Sequence, residues 1–131
     1  MDAKRVGVSE KIPSGYEIYI KGGRAASGLV AVEWAQKAES LGAGEICLNA
    51  MDTDGVRDGY ELEITDKVAK AVGIPVIASG GAGKPCHIAD LFAKTSADAA
   101  LVASMVHFGD YTVAQIKDEM SKANIPVRKI V

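Results

Sequence analysis

The chain has 131 residues, 15 of them basic and 17 acidic, for a formal net charge of −2. Its cations form no dense patch beyond Lys4-Arg5, so it carries no footprint for a phosphodiester backbone and nucleic acid is not expected as a partner. Met1 is followed by Asp2 and Lys4-Arg5 with no apolar run behind them, which predicts neither a signal peptide nor a membrane span, and hence a cytoplasmic protein.

In chain order, Lys4 to Val8 is expected as a short extended segment, and Tyr16-Glu17-Ile18-Tyr19-Ile20 alternates as a half-exposed strand does. Pro13-Ser14-Gly15 between them reads as a turn, so the two make a local hairpin that extends the first βα loop. Val30, Trp34, Ala38 and Leu41 then recur at helical spacing until Gly42-Ala43-Gly44 stops them, which predicts a helix over 28–41 with Trp34 in the core or at an interface. Glu45 to Met51 is a nearly continuous apolar run of strand length, the pattern of a parallel strand covered on both faces, and it places Cys47 in a buried strand. Asp52-Thr53-Asp54-Gly55 closes that strand with polar loop chemistry.

Ile64, Val68 and Val72 mark a second helix, ended by Gly73 and Pro75, and a strand follows over 75–78. A third helix puts Ile88, Leu91 and Phe92 on one face, and a fourth parallel strand is expected from Ala99 to Ala103. The last helix opens with Thr112-Val113-Ala114-Gln115, a capping box, and would bury Val113, Ile116 and Met120. Residues 1–131 thus read as one domain of four βα units. Cys47 and Cys86 lack CxxC spacing and are expected as two reduced thiols.

The stretch Pro75-Val76-Ile77-Ala78-Ser79-Gly80-Gly81-Ala82-Gly83 joins a buried strand to a glycine turn and a helix start, where backbone amides can hold a phosphate. Ala99-Ala100-Leu101-Val102-Ala103-Ser104 repeats the logic with a hydroxyl at its end. Two adjacent βα loops of this kind are the phosphate-site pattern of (β/α)₈ barrels, which need about 250 residues, so this chain holds about half of one. A Walker loop is excluded because Ala78 and Pro85 stand where it needs glycine and a hydroxyl. A glycine turn that merely reverses the chain is the alternative, and Ser104 counts against it.

Asp52-Thr53-Asp54-Gly55 lacks the glycine and glutamate spacing of an EF-hand. Carboxylates at the carboxyl end of a parallel strand, level with a phosphate cradle, suit general acid or base work; a turn or N-cap role is the other reading, and Asp2 carries the same pair of alternatives. His87 and His107 have no acidic partner at ligand spacing, so surface or capping roles are expected rather than a metal site.

Asp2-Ala3-Lys4-Arg5-Val6, Gly22-Gly23-Arg24, Leu41-Gly42-Ala43-Gly44-Glu45-Ile46, Asp52 to Tyr60, Ile77 to Gly83 and Ala103-Ser104-Met105-Val106-His107-Phe108 closely resemble the C-terminal half of the cyclase subunit of imidazole glycerol phosphate synthase. The resemblance covers essentially the whole chain. It implies an α/β fold, the (βα)₄ half of a TIM-type (β/α)₈ barrel with parallel strands and an extra hairpin after the first strand. It also implies a lyase-type cyclase of histidine biosynthesis, which uses ammonia from a partner glutaminase to make imidazole glycerol phosphate and a carboxamide ribotide.

By the same resemblance, Asp2 and Asp54 match catalytic acids, and Ser79, Gly80, Gly81, Ala103 and Ser104 match a phosphate site. Asn49 and Gly55 would line the substrate pocket, and Glu45 would belong to the charged ring where ammonia enters the barrel floor. No cofactor and no metal are implied. Strands one to four of the barrel, and with them the other catalytic aspartate and the second phosphate site, lie outside this sequence, so one chain cannot be the family enzyme. Two unpaired sheet edges and an exposed barrel interior predict self-association, as a homodimer or higher homo-oligomer that binds a phosphorylated small molecule. The alternatives are a phosphate-binding module without chemistry and a module that complements a separate N-terminal half-barrel.

Overall fold

The structure, a computed structural model, describes residues 1–128. Its strands are β1 (Asp2–Arg5), β2 (Tyr16–Ile20), β3 (Ala25–Val30), β4 (Ile46–Ala50), β5 (Val76–Ser79) and β6 (Ala99–Ala100). The helices are α1 (Ala31–Ser40), α2 (Leu62–Ala71), α3 (Pro85–Lys94), α4 (Ser104–His107) and α5 (Val113–Lys122). One six-stranded sheet runs in the order β3-β2-β1-β4-β5-β6. β1, β4, β5 and β6 are mutually parallel, while β2 and β3 add antiparallel pairs at one side. Four parallel strands, each leading to a helix on the same side, make the (βα)₄ half of a (β/α)₈ barrel, with the expected hairpin after β1.

The helices cover one face of the sheet only. Ala3, Ile46, Leu48 and Val76 meet Ala31, Ala35, Ile64 and Val68 in one core cluster. Ala78, Ala82, Ile88, Leu91, Met105 and Ile116 form a second cluster beneath β5 and β6. Side chains alternate across a strand, so the intervening residues of β1, β4 and β5, namely Asp2, Cys47, Asn49, Ile77 and Ser79, look out from the uncovered face. β4 is therefore covered on one side rather than two, and Cys47 is exposed rather than buried. Cys47 and Cys86 are both free thiols.

Three boundaries and one burial differ from the sequence reading, and the first is that β1 spans Asp2–Arg5 rather than residues 4–8. β3 occupies Ala25–Val30, so α1 begins at Ala31 rather than at residue 28. Partners distant in sequence decide this: the Ser27 hydroxyl donates to the Ile18 carbonyl at 2.6 Å, and the Gly28 amide donates to the Glu17 carboxylate at 2.6 Å. β2 pairs with the outer edge of β1 and β3 with β2, so the sheet ends at β3 and β6. The last strand stops at Ala100, and the backbone turns at Ala103 (φ −130°, ψ −74°), so that Ser104 opens the short α4 instead of ending a strand. On α5, Ile116 is buried and Met120 packs against the core, but Val113 is 47% exposed.

Helix ends follow local rules. The Thr112 hydroxyl accepts from the Gln115 amide at 3.2 Å while the Gln115 side chain accepts from the Thr112 amide at 2.8 Å, which completes the expected capping box of α5. α1 closes with amides of Gly42 and Ala43 donating to carbonyls of Glu39 and Ala38, and α5 closes likewise at Asn124 and Ile125. Both are Schellman motifs. No helix among the described residues is long and apolar enough to cross a membrane.

Candidate functional site

Strand register sets the site. Asp2 pairs with Asn49 and Asn49 with Ser79, so three polar residues form one row across β1, β4 and β5 on the uncovered face. The Asn49 amide donates to Asp2 Oδ1 at 3.2 Å, which orients that carboxylate. The row beneath it is apolar: Cys47 pairs with Ile77, and Ile77 with Ala99. The polar row thus sits at the carboxyl ends of β4 and β5, the end at which barrels of this class carry their chemistry.

Above this row the loop after β4 folds down onto the glycine turn after β5. The Gly59 amide donates to the Gly81 carbonyl at 2.8 Å and the Thr53 hydroxyl to the Gly80 carbonyl at 3.2 Å. The approach is so close that a Cβ on Gly81 would lie 2.0 Å from the Gly59 carbonyl oxygen, and one on Gly83 2.1 Å from that of Arg57. These glycines admit another stretch of backbone.

Two clefts result. A small one of about 40 Å³ is lined by residues that include Asp54, Gly55, Ser79, Gly80, Gly81, Ala103 and Ser104, the phosphate set together with one acid. The amides of Gly81 and Ser104 donate to no backbone carbonyl among the described residues, which leaves them available to an anion. The Gly83 amide is not available, because it donates to His87 Nδ1 at 3.2 Å, one residue ahead of the α3 N-cap Lys84, which itself has no side-chain cap. A second, wider cleft of about 350 Å³ is lined by Asp2, Gly22, Gly23, Asn49, Met51 and Asp54. Asp54 borders both.

The paired acids after β4 separate in role. Asp52 accepts the Arg5 amide at 2.7 Å and ties the loop to the end of β1, the turn-anchoring alternative. Asp54 is exposed at the junction of the clefts. Glu45 is exposed just before β4, at the opposite end of the sheet from Asp2 and Asp54, and is not brought to either cleft.

Residues that sequence reading passed over also shape the site. Tyr60 is buried and donates from its hydroxyl to the Leu101 carbonyl at 2.8 Å, joining the loop after β4 to the segment after β6. Burial pushes its phenol well above the ordinary tyrosine range, so it remains a donor. Arg57 lines the small cleft and pairs with Asp110. A lone arginine three residues beyond Asp54 was the available signal, since an anion site that contains a carboxylate needs a compensating cation.

Comparison with known proteins agrees with this architecture. The family described as "Histidine biosynthesis protein" matches residues 1–112. The imidazole glycerol phosphate synthase subunit HisF of Solidesulfovibrio magneticus is 59% identical over 130 residues, 99% of this chain and 50% of that protein. Its counterpart in Desulfatibacillum aliphaticivorans is 58% identical over 98% of this chain and 49% of its own length, and that of Lactococcus lactis 55% identical over 88% and 45%. The chain thus spans about half the length of the curated relatives it matches. With a matching fold, a polar row at the strand ends and this extent of identity, the chain belongs to the histidine biosynthesis protein family.

Proposed function

We propose that this chain is one half-barrel unit that carries a phosphate site and two proton-handling carboxylates of an imidazole glycerol phosphate synthase cyclase. The observation that carries the reading is the position of Asp54 at the junction of the two clefts. A phosphorylated small molecule anchored through its phosphate at Gly81, Ala103 and Ser104, with Ser79 and Gly80 beneath, would extend past Asp54 toward Asn49 and Asp2. Anchoring at one end fixes the reacting atoms near carboxylates that can take and return protons. Gly55 and Asn49 line the route.

The uncovered sheet face and the unpaired edge of β6 support completion of the barrel by a second half, either another copy of this chain or a separate N-terminal half. Leu101 on this side is 43% exposed, a state that soluble proteins usually cover when several such residues adjoin. With the barrel complete, Glu45 at the far end would stand where ammonia enters, and a glutaminase would supply it.

Two measurements test the proposal. Inorganic phosphate at millimolar concentration should move the amide resonances of Gly81 and Ser104; no change at either would remove the phosphate reading. Turnover of the cyclase substrate with saturating ammonium should fall to background in Asp2→Asn. Equal rates in the wild type and that variant would leave a binding module without chemistry.

A further inference from the structure

We propose that Arg57 is the cationic ligand of the anion cleft, held in reserve by Asp110 and released to the bound anion, so that the Arg57–Asp110 pair sets how strongly the cleft binds a phosphate. This rests on the phosphate reading given above. Of the described residues lining the cleft, Asp54 is the one anion and Arg57 the one cation. A phosphate seated on the Gly81 and Ser104 amides lies beside the Asp54 carboxylate, and like charges at close range oppose binding. The loop amides offer partial charges only. A full positive charge on the same wall offsets Asp54, and a planar guanidinium donates to phosphate oxygens in a fork that an ammonium does not reproduce.

The backbone holds this side chain at the cleft. Arg57 has a left-handed conformation, φ +69°, and its carbonyl is packed against Gly83, where a Cβ would come within 2.1 Å. The root of the side chain is thereby fixed over the glycine turn. Its guanidinium Nη2 pairs with Asp110 Oδ2, from the segment between α4 and α5. Both partners are substantially exposed, 39% and 41%, and exposed pairs contribute little to stability. Exchange of the Asp110 carboxylate for a phosphate therefore costs little, and Asp110 acts as a competing anion that sets a threshold for binding.

The test titrates inorganic phosphate into the whole chain and reads the Gly81 and Ser104 amides. Arg57→Ala should weaken binding by about tenfold, the loss of one charge-assisted contact, and Arg57→Lys should fall between it and the wild type. Asp110→Ala should tighten binding by about twofold to fivefold by removing the competitor, the range an exposed ion pair can return. The same Asp110→Ala change made in the Arg57→Ala background should tighten it much less. Unchanged affinity in Arg57→Ala, or equal gains from Asp110→Ala in both backgrounds, overturns the inference and leaves the phosphate site standing. Absence of any phosphate response in the wild type overturns both readings together. Asp110 lies on the surface, so its variant leaves the glycine turn in place; if Arg57→Ala disturbs the left-handed turn, unchanged phosphate affinity in Asp110→Ala still overturns the inference.

Discussion

Gly81→Ala should disrupt the site through the fold. The added Cβ would lie 2.0 Å from the Gly59 carbonyl oxygen and 3.0 Å from Thr53 Cβ, at a backbone φ of +103°. The two segments cannot simply part, because the Gly59 amide bonds the Gly81 carbonyl at 2.8 Å and Thr53 bonds the Gly80 carbonyl at 3.2 Å. Strain at such a φ costs about 1–3 kcal/mol. Loss of the two hydrogen bonds adds about 1 kcal/mol each. The sum is about 3–5 kcal/mol, a large part of the net stability of an ordinary domain. Gly55→Ala is the control, since Gly55 has a φ of +78° but nothing within 4 Å of the place its Cβ would take, so only the left-handed cost of about 1–2 kcal/mol applies. Urea unfolding followed by circular dichroism at one protein concentration measures both. If the two variants lose the same stability within ~0.5 kcal/mol, close backbone packing is not why glycine is needed at 81. Gly81→Val has the same defect in larger form and cannot separate binding from folding.

Ile77→Asp faces the uncovered side and should leave the folded chain intact by circular dichroism while abolishing association in sedimentation. Leu48→Asp, one position along the register on the helix side, should unfold it, because an unpaired charge there enters the core. Asp54→Asn should change stability by no more than ~0.5 kcal/mol in urea, since Asp54 is exposed, while altering ligand affinity or turnover. Tyr16 and Tyr60 are buried with phenol pKa values pushed up, first by desolvation. Their folded pKa lies above the unfolded value of about 10, so their contribution is complete below pH ~10 and is lost above it at about 1.4 kcal/mol per pH unit for each. Alkaline unfolding that begins no earlier in the wild type than in Tyr60→Phe would contradict this. Thr112→Ala removes the capping box of α5 and should cost about 1 kcal/mol in urea unfolding.

The sequence by itself determined four of the five helices among the described residues, the central parallel strands and part of the candidate site. Ile64, Val68, Ile88, Leu91 and Ile116 sit at helical periods that packing on one sheet face requires, and Thr112 with Gln115 is a cap written in adjacent residues. Gly80, Gly81 and Ser104 could be singled out because glycine after one strand and a hydroxyl at the expected end of the next are local signals of turns that can hold an anion, although the structure puts Ser104 at the start of α4 rather than at a strand end. Three features were decided only by the tertiary structure. β3 depends on Glu17 and Ile18 accepting from Gly28 and Ser27, contacts that no periodicity in Ala25–Val30 announces. The nearly continuous apolar run from Glu45 to Met51 reads as a strand buried on both faces, but no helix covers the second face of β4, and Cys47 is exposed for that reason. Arg57 reaches the cleft because the loop after β4 folds back onto Gly83, a meeting of residues far apart in the chain that is fixed by close backbone packing and by the Gly59–Gly81 and Thr53–Gly80 hydrogen bonds.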